Sequence, residues 1–198
     1  PETNKNWVKF KFKEPYILVD FRYHIKASWW FDHHKSSFTM PALPSWGKKY
    51  KSDKTHISDS SFPSCASLAM GHLGKYFGYK APEHIKELVK WTDYIDDGQY
   101  KSMAEYMESR GPAMKLRLYL HYEKNKNARI KLVKYFSSKP IKEIAKISGI
   151  TQVAKAGLAE DKRIVKKIKK VAELSDKVTF VDGAKNNLKS SHFMVYYA

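Results

Sequence analysis

Two short apolar runs near the start of the chain each lead into a carboxylate. Residues 16–19 (YILV) precede Asp20, and residues 28–31 (SWWF) precede Asp32. Short apolar runs of this kind are typical of strands that are buried on both faces, as in parallel sheets. The pattern predicts two strands with an acid at each carboxyl end. Residues 21–27 between them are too few for the helical crossover that parallel neighbours usually need, so the pairing of the two strands stays open.

Helical spacing of apolar residues dominates the chain from about residue 64 to 175. A first helix is predicted from an N-cap at Ser64 to a stop near Gly78, and an amphipathic second helix over residues 81–96. Further helical stretches are predicted over residues 101–111 and 113–136, after Ser138 and Pro140, and over residues 160–177. Residues 36–63 have no sustained apolar period and are predicted to form a long loop.

The composition changes this picture mainly through its charge. The chain is 42% hydrophobic and 29% charged, which is typical of a folded protein. Its 37 Lys+Arg against 20 Asp+Glu give a formal net charge of +17, which favours anionic partners, with a general lysine-rich bias of the proteome as the alternative. The single Cys65 excludes an internal disulfide and a cysteine-based zinc site.

No apolar run reaches the roughly 18 residues of a membrane span, and we expect a cytoplasmic protein.

The triplet Asp32-His33-His34 directly follows the second apolar run. Together with Asp20 and Asp93 it offers imidazole and carboxylate groups as metal ligands. An oxygen-rich site with one or two histidines favours Mn²⁺ or Mg²⁺ over Zn²⁺. The plainer interpretation is a surface loop that happens to contain two histidines, and composition alone does not decide between the two.

Four segments, in order along the chain, resemble the DHH-family phosphoesterases, which are named for the Asp-His-His triplet. They are LVDFRYH, WWFDHHKSSF, SFPSCASLAM and ELVKWTDYIDDGQYKSMAEYMESRGPAM, and the resemblance covers roughly residues 15–115. It implies an α/β catalytic domain with a parallel sheet, and hydrolysis of a phosphoester or phosphoanhydride with Mn²⁺, or Mg²⁺ as the alternative. Family members act on pyrophosphate, polyphosphate, single-stranded oligonucleotides and cyclic dinucleotides, so the implied partner is an anionic phosphate-containing substrate.

The resemblance also implies a ligand set by position. Asp20 matches the acid that bridges two metal ions, His33 matches a ligand to one of them, and Asp93 matches a later acid on the same ion. Asp96 and Asp97 are alternatives to Asp93 as this later acid, and only the motif alignment favours Asp93. In two-metal chemistry the paired cations activate a water molecule and clamp the phosphoryl oxygens during in-line attack.

Further residues are implied around the metal ligands. Asp32 matches a residue that orients its neighbours, and His34 matches one that hydrogen-bonds the substrate phosphate. Arg22 and Lys35 are candidates to clamp phosphate oxygens, with ordinary surface positions as the alternative. Ser64 heads a helix whose N–H groups are suited to a phosphate, although an ordinary N-cap is the simpler interpretation.

Two parts of the family pattern are missing. The family's first motif is a His followed by Asp-x-Asp, yet residues 1–19 contain neither His nor Asp, and the glycine-rich stretch of the second domain is also absent. The sequence therefore predicts at most half of a two-metal site, in a piece of a longer protein or in an inactive relative. We expect a partial catalytic domain over residues 1–120, a helical connector over 121–175 and the start of a smaller second α/β domain over 176–198. The sequence is compatible with an oligomer as well as with a monomer.

A rival function rests on residues 140–158, which have the apolar-Ala-turn-Gly-apolar pattern of a helix-turn-helix, with an ordinary pair of helices joined at Gly149 as the alternative. In a chain of net charge +17 this pattern favours nucleic-acid binding. The predicted recognition helix carries only Gln152 and Lys155 to read bases or phosphates, which are few for sequence-specific recognition. On this hypothesis binding survives the loss of Asp20, whereas on the enzyme hypothesis activity does not.

Overall fold

The computed structural model describes residues 7, 9–13, 15–38, 44–108, 110–171, 173–174, 179–180 and 182. The chain divides into two compact units, Pro1–Gln99 and Tyr100–Ala198, so the division falls some twenty residues before the predicted domain boundary near residue 120. None of the helices in these described ranges has the length and apolar character to cross a membrane.

The first unit contains a three-stranded parallel sheet. Strands β1 (Ile17–Val19), β2 (Trp29–Asp32) and β3 (His56–Ser58) lie in the order β1-β2-β3, with Ile17 opposite Trp29 and Trp30 opposite His56. The mixed α/β class and the parallel sheet are therefore confirmed, and the pairing that the sequence leaves open is parallel.

Two indole groups stabilise the short connection between β1 and β2. The Trp30 indole N–H donates to the Phe21 carbonyl at 2.7 Å, and the Trp7 indole N–H donates to the Tyr23 carbonyl at 3.1 Å. Because these side chains satisfy backbone carbonyls that a helix would otherwise satisfy internally, the chain crosses between parallel neighbours without a helix.

Strand β2 is buried on both faces, as its apolar run predicts, but the same prediction is wrong for β1, where Ile17 and Val19 are 64% and 54% exposed. Trp30, which is fully buried, packs with Tyr23 and Ala27 on one side. Phe31 packs with Cys65 and Leu68 on the other. Alternate residues of a strand point to opposite faces, so both faces of β2 belong to the core.

The prediction of a long loop over residues 36–63 is wrong. Helix α1 (Pro44–Lys49) and strand β3 lie within it. Periodicity does not reveal a strand of three residues with one apolar side chain, and its position is set by local hydrogen bonds. The Asp53 carboxylate accepts from the backbone N–H groups of Thr55 and His56, and these bonds, that from Thr55 foremost, lower the pKa of Asp53 to about 2.

Two helices follow the sheet along the chain, much as predicted. Helix α2 (Cys65–Phe77) has Ser64 as its N-cap and ends at Gly78, whose φ of 66° is left-handed. Helix α3 (Glu83–Asp96) follows Pro82. Cys65 at the head of α2 is buried, and burial raises the pKa of its thiol to about 12.

The second unit is mainly helical. Its helices are α4 (Met103–Glu108), α5 (Pro112–Tyr122), α6 (Lys126–Phe136), α7 (Ile141–Ile144) and α8 (Ser148–Val171), followed by the antiparallel strands β4 (Glu173–Leu174) and β5 (Thr179–Phe180). The continuous helix predicted over residues 113–136 is interrupted, because the Asn125 side chain caps α6 by accepting from Asn127 and Ala128 N–H.

The structure differs from the predicted helix-turn-helix in where the two helices join and in how long each helix is. Pro140, not Ser138, is the N-cap of α7, which is only four residues long. Gly149 lies inside the first turn of α8 rather than at the joint. The lysine-rich helix predicted over residues 160–177 ends at Val171, and strand β4 begins at Glu173. Most of the second domain predicted over residues 176–198 lies outside the described residues.

A close approach between α5 and α8 organises the core of the second unit. Gly157 faces the Tyr122 ring, and a Cβ built on Gly157 would lie 2.3 Å from Tyr122 Cδ2. The Tyr122 hydroxyl donates to the carboxylate of Asp161, which is only 3% exposed. Burial raises the pKa of Asp161, consistent with a carboxylate that has lost water and depends on this hydrogen bond.

We predict that Gly157→Ala destabilises the protein by about 1–3 kcal/mol, because the ring that must move is held by its hydrogen bond to Asp161. Gly149→Ala is the matched control in the same helix, since no atom lies within 4 Å of its Cβ position. There the higher helix propensity of alanine should stabilise by a few tenths to about 1 kcal/mol. Urea unfolding measures both, and equal effects of the two substitutions would contradict the packing assigned to Gly157.

Candidate metal centre

The candidate centre lies where β1 and β2 end. Asp20 directly follows β1, and its backbone N–H donates to the Phe31 carbonyl at 3.0 Å while its φ is 56°. Aspartate is one of the few residue types that tolerate this left-handed conformation. His33 and His34 directly follow β2, and parallel neighbours end at the same edge of the sheet. Ligand atoms of Asp20, His33 and His34 therefore come within 4.8 Å of one another.

The His33 ring is oriented by a backbone carbonyl. Its Nδ1 lies 3.2 Å from the carbonyl oxygen of Phe62, which only accepts hydrogen bonds, so Nδ1 carries the hydrogen. In the neutral ring Nε2 then presents a lone pair. The side chain is 13% exposed, and Nε2 is buried with no hydrogen-bond partner among the described residues.

Two carboxylates surround this buried nitrogen. His33 Nε2 lies 3.5 Å from Asp20 Oδ1 and 3.2 Å from Asp96 Oδ2. A lone pair facing two anionic oxygens is unfavourable unless a cation lies between them, either a proton on Nε2 or a metal ion. The donor set of one imidazole and two carboxylates is one that Mn²⁺ and Mg²⁺ accept.

Asp96 comes from the last turn of α3. Burial raises the pKa of its carboxyl, and the negative charge of Asp20 raises it further, while His33 and His34 oppose the shift. A cation bound beside Asp96 would oppose this shift.

Asp93 lies one turn earlier on α3 and has a different partner. Its Oδ1 accepts from the Ser64 hydroxyl at 2.5 Å. Asp97, the other acid considered, accepts from the Gln99 side-chain amide at 2.8 Å. Of the three acids on this helix end, the structure places Asp96 against His33, whereas the motif alignment favours Asp93.

Asp32 is buried behind the two histidines, with 1% of its surface exposed. Its Oδ1 accepts from His34 Nδ1 at 2.8 Å, and its Oδ2 accepts from the Ser37 hydroxyl at 2.5 Å. The hydrogen bond to Asp32 raises the pKa of His34 and so favours the charged ring. The His34 side chain is half exposed, which leaves the rest of its ring available at the rim of the cluster.

The predicted phosphate-binding residues lie in different surroundings. Arg22 and Lys35 are exposed, two residues after Asp20 and one after His34. Ser64 is fully buried, and its hydroxyl accepts from Ser67 N–H and donates to Asp93. The N-cap interpretation of Ser64 is confirmed, and its hydroxyl is already engaged by two protein groups.

Two contributors to this arrangement were not predicted. The Phe62 carbonyl that orients His33 lies 29 residues away in sequence, and a backbone oxygen leaves no trace in the pattern of residue types. Ser37 could have been suggested, weakly, by its position five residues after Asp32. It lies in a short turn in which its backbone N–H donates to the His34 carbonyl. Hydroxyl residues in such turns commonly bond to a nearby acid.

Comparisons with known proteins found no matching family model, no matching curated protein and no matching solved structure.

We predict that Asp96→Asn weakens Mn²⁺ binding roughly tenfold or more, because it replaces a carboxylate that faces His33 Nε2. Asp97→Asn makes the same change of charge at the next residue and should alter the affinity less than about threefold. Titration calorimetry with MnCl₂ on the purified chain measures both. If Asp93→Asn abolishes binding while Asp96→Asn leaves it intact, the ligand assignment is wrong and the motif alignment is right.

Proposed function

We propose that this chain is a divalent-metal-dependent phosphoesterase of the DHH type, in which Asp20, His33 and Asp96 hold Mn²⁺ or Mg²⁺. The observation that carries the proposal is the buried Nε2 of His33, which faces two carboxylates while Nδ1 is occupied by the Phe62 carbonyl. A structural histidine normally has a partner on each buried nitrogen, whereas a metal ligand keeps one nitrogen for the ion.

The residues around the cluster fit a role in binding a phosphate. Asp32 holds the His34 ring through Nδ1 and favours its positive form, so His34 can offset negative charge on a phosphoryl group. Arg22 and Lys35 add exposed positive charge close in sequence to Asp20 and His34. A bound divalent ion supplies Lewis acidity and lowers the pKa of a water ligand, which is the chemistry that phosphoester hydrolysis needs near neutral pH.

The sequence motifs give independent support. Strand β1 with Asp20 after it, the Asp-His-His triplet and the acidic end of α3 follow one another in the same order as the corresponding motifs of the DHH family. The structure describes a parallel sheet with these residues at one edge, which is where open α/β sheets bind ligands. Asp20, His33 and Asp96 would hold one cation, and the His and Asp-x-Asp that supply much of a second site in the family have no counterpart in residues 1–19.

The proposed reaction is hydrolysis of a phosphoester or phosphoanhydride in a nucleotide, a short oligonucleotide or polyphosphate. All three substrates are anions and match the formal net charge of +17. The cluster itself recognises a phosphate group, which these substrates share, so it does not select among them.

Hydrolysis of bis-p-nitrophenyl phosphate and of a short oligoribonucleotide, with MnCl₂ or with EDTA, tests the proposal. We expect turnover that requires Mn²⁺ and that falls roughly a hundredfold or more in His33→Ala, because this change removes a metal ligand. His84→Ala on α3 is the control, since His84 is not part of the cluster, and it should retain turnover within about twofold.

Turnover that persists in EDTA or in His33→Ala would place the chemistry elsewhere. Tight Mn²⁺ binding without turnover on either substrate would overturn the enzyme proposal and leave the metal centre standing.

A further inference from the structure

The positive charge of the chain is concentrated in its second half. Residues 100–198 contain 22 Lys+Arg against 9 Asp+Glu, a balance of +13, whereas residues 1–99 contain 15 against 11, a balance of +4. The metal centre belongs to the half with the smaller charge. The excess in the second half therefore calls for a separate explanation.

A groove of about 370 Å³ runs between α4 and α8 within the second unit. Its lining residues are Ala104, Met107, Glu108, Lys162, Val165, Lys166 and Lys169. Met107 and Val165 pack on the buried cluster of Tyr106, Ile164 and Ile168, so the apolar floor of the groove rests on a fixed core. The three lysines stand one to two helical turns apart along a single side of α8.

Two acidic residues at or next to this groove contact arginines. Glu108 lies 2.8 Å from Arg110 Nε, and Glu160 forms two contacts of 2.7 Å with Arg163. From residue 162 to 171, α8 contains no Asp or Glu. The groove therefore combines an apolar floor with a positive edge.

This combination fits a single-stranded nucleic acid better than a membrane or a duplex. Helix α8 buries its apolar residues, such as Ile164 and Ile168, inside the unit, so it has no apolar face left to insert into a lipid surface. An apolar floor beside lysines suits an unstacked base followed by phosphates, which a duplex does not offer.

We propose that the groove between α4 and α8 binds a single-stranded oligonucleotide, with a base on Ala104, Met107 and Val165 and the adjacent phosphates on Lys162, Lys166 and Lys169. The lysines supply the salt-dependent part of the affinity, and the floor supplies the part that depends on a base. The proposal concerns the second unit and does not rest on the metal centre.

Fluorescence anisotropy of a labelled 12-nucleotide single strand, measured on the full chain in EDTA, tests the charge. EDTA prevents hydrolysis, so the readout is independent of the proposed enzyme. The triple variant K162A/K166A/K169A should bind about tenfold more weakly, and the slope of log K against log salt should fall in magnitude by about 2, or roughly 0.7 for each lost phosphate contact. The control K126A/K134A/K142A removes the same charge from exposed positions on α6 and α7, and should bind within about threefold of the parent.

The variant Ala104→Gln tests the floor without changing the charge. This larger polar side chain at an exposed position of α4 should weaken binding of the oligonucleotide severalfold and leave binding of inorganic polyphosphate, which has no base, unchanged. Equal losses in the two triple variants would show that binding is diffuse, and equal effects of Ala104→Gln on both polyanions would show that no base lies in the groove. Failure of the parent chain to bind the single strand, or tighter binding of a duplex or of anionic vesicles, would overturn the proposal.

Discussion

The hydrogen bond between His33 Nδ1 and the Phe62 carbonyl determines what the edge of the sheet can do. It fixes which nitrogen of the ring carries hydrogen, and it turns the other nitrogen toward Asp20 and Asp96. Without this bond the ring could rotate its protonated nitrogen toward a carboxylate and form an ordinary hydrogen bond. With it, the buried lone pair faces two acids, which is unfavourable unless a proton on Nε2 or a metal ion lies between them.

The backbone that supplies this carbonyl is held by the same elements that build the fold. Phe62 packs with Phe31 and Cys65 beneath β2, and Ser64 begins α2 directly afterwards. The Ser64 hydroxyl reaches Asp93 on α3, one turn before Asp96. A single short segment thus orients His33, caps one helix and ties it to the helix that provides the second acid.

Much of this arrangement is visible in the sequence, since it depends on local patterns. The apolar runs predict β1 and β2, and the capping residues predict α2 from Ser64 to Gly78. Strand β3 could not be predicted, because it is short and Asp53 fixes it through backbone hydrogen bonds. The close packing of Gly157 on Tyr122 depends on a contact between distant helices, which a single sequence does not reveal.

The candidate site shows the same limit. Residue types and order lead to Asp20, Asp32, His33 and His34, because the acids and histidines directly follow strands. The choice between Asp93 and Asp96 cannot be made from spacing, since residues three apart lie on the same side of a helix. The structure separates the two acids, because Asp93 accepts from the Ser64 hydroxyl whereas Asp96 lies 3.2 Å from His33 Nε2.

The account depends most directly on His33 Nε2 as a metal ligand. Long-range ¹H–¹⁵N correlation spectra of the histidine rings, recorded while Cd²⁺ is added as a diamagnetic substitute for Mn²⁺, distinguish that nitrogen from Nδ1 of the same ring. We expect the Nε2 resonance of His33 to move to the position of a metal-bound nitrogen while Nδ1 keeps its hydrogen. A His33 ring that stays protonated on both nitrogens and does not respond to Cd²⁺ would mean that the cluster is an ion pair between a charged histidine and two acids, with no metal centre.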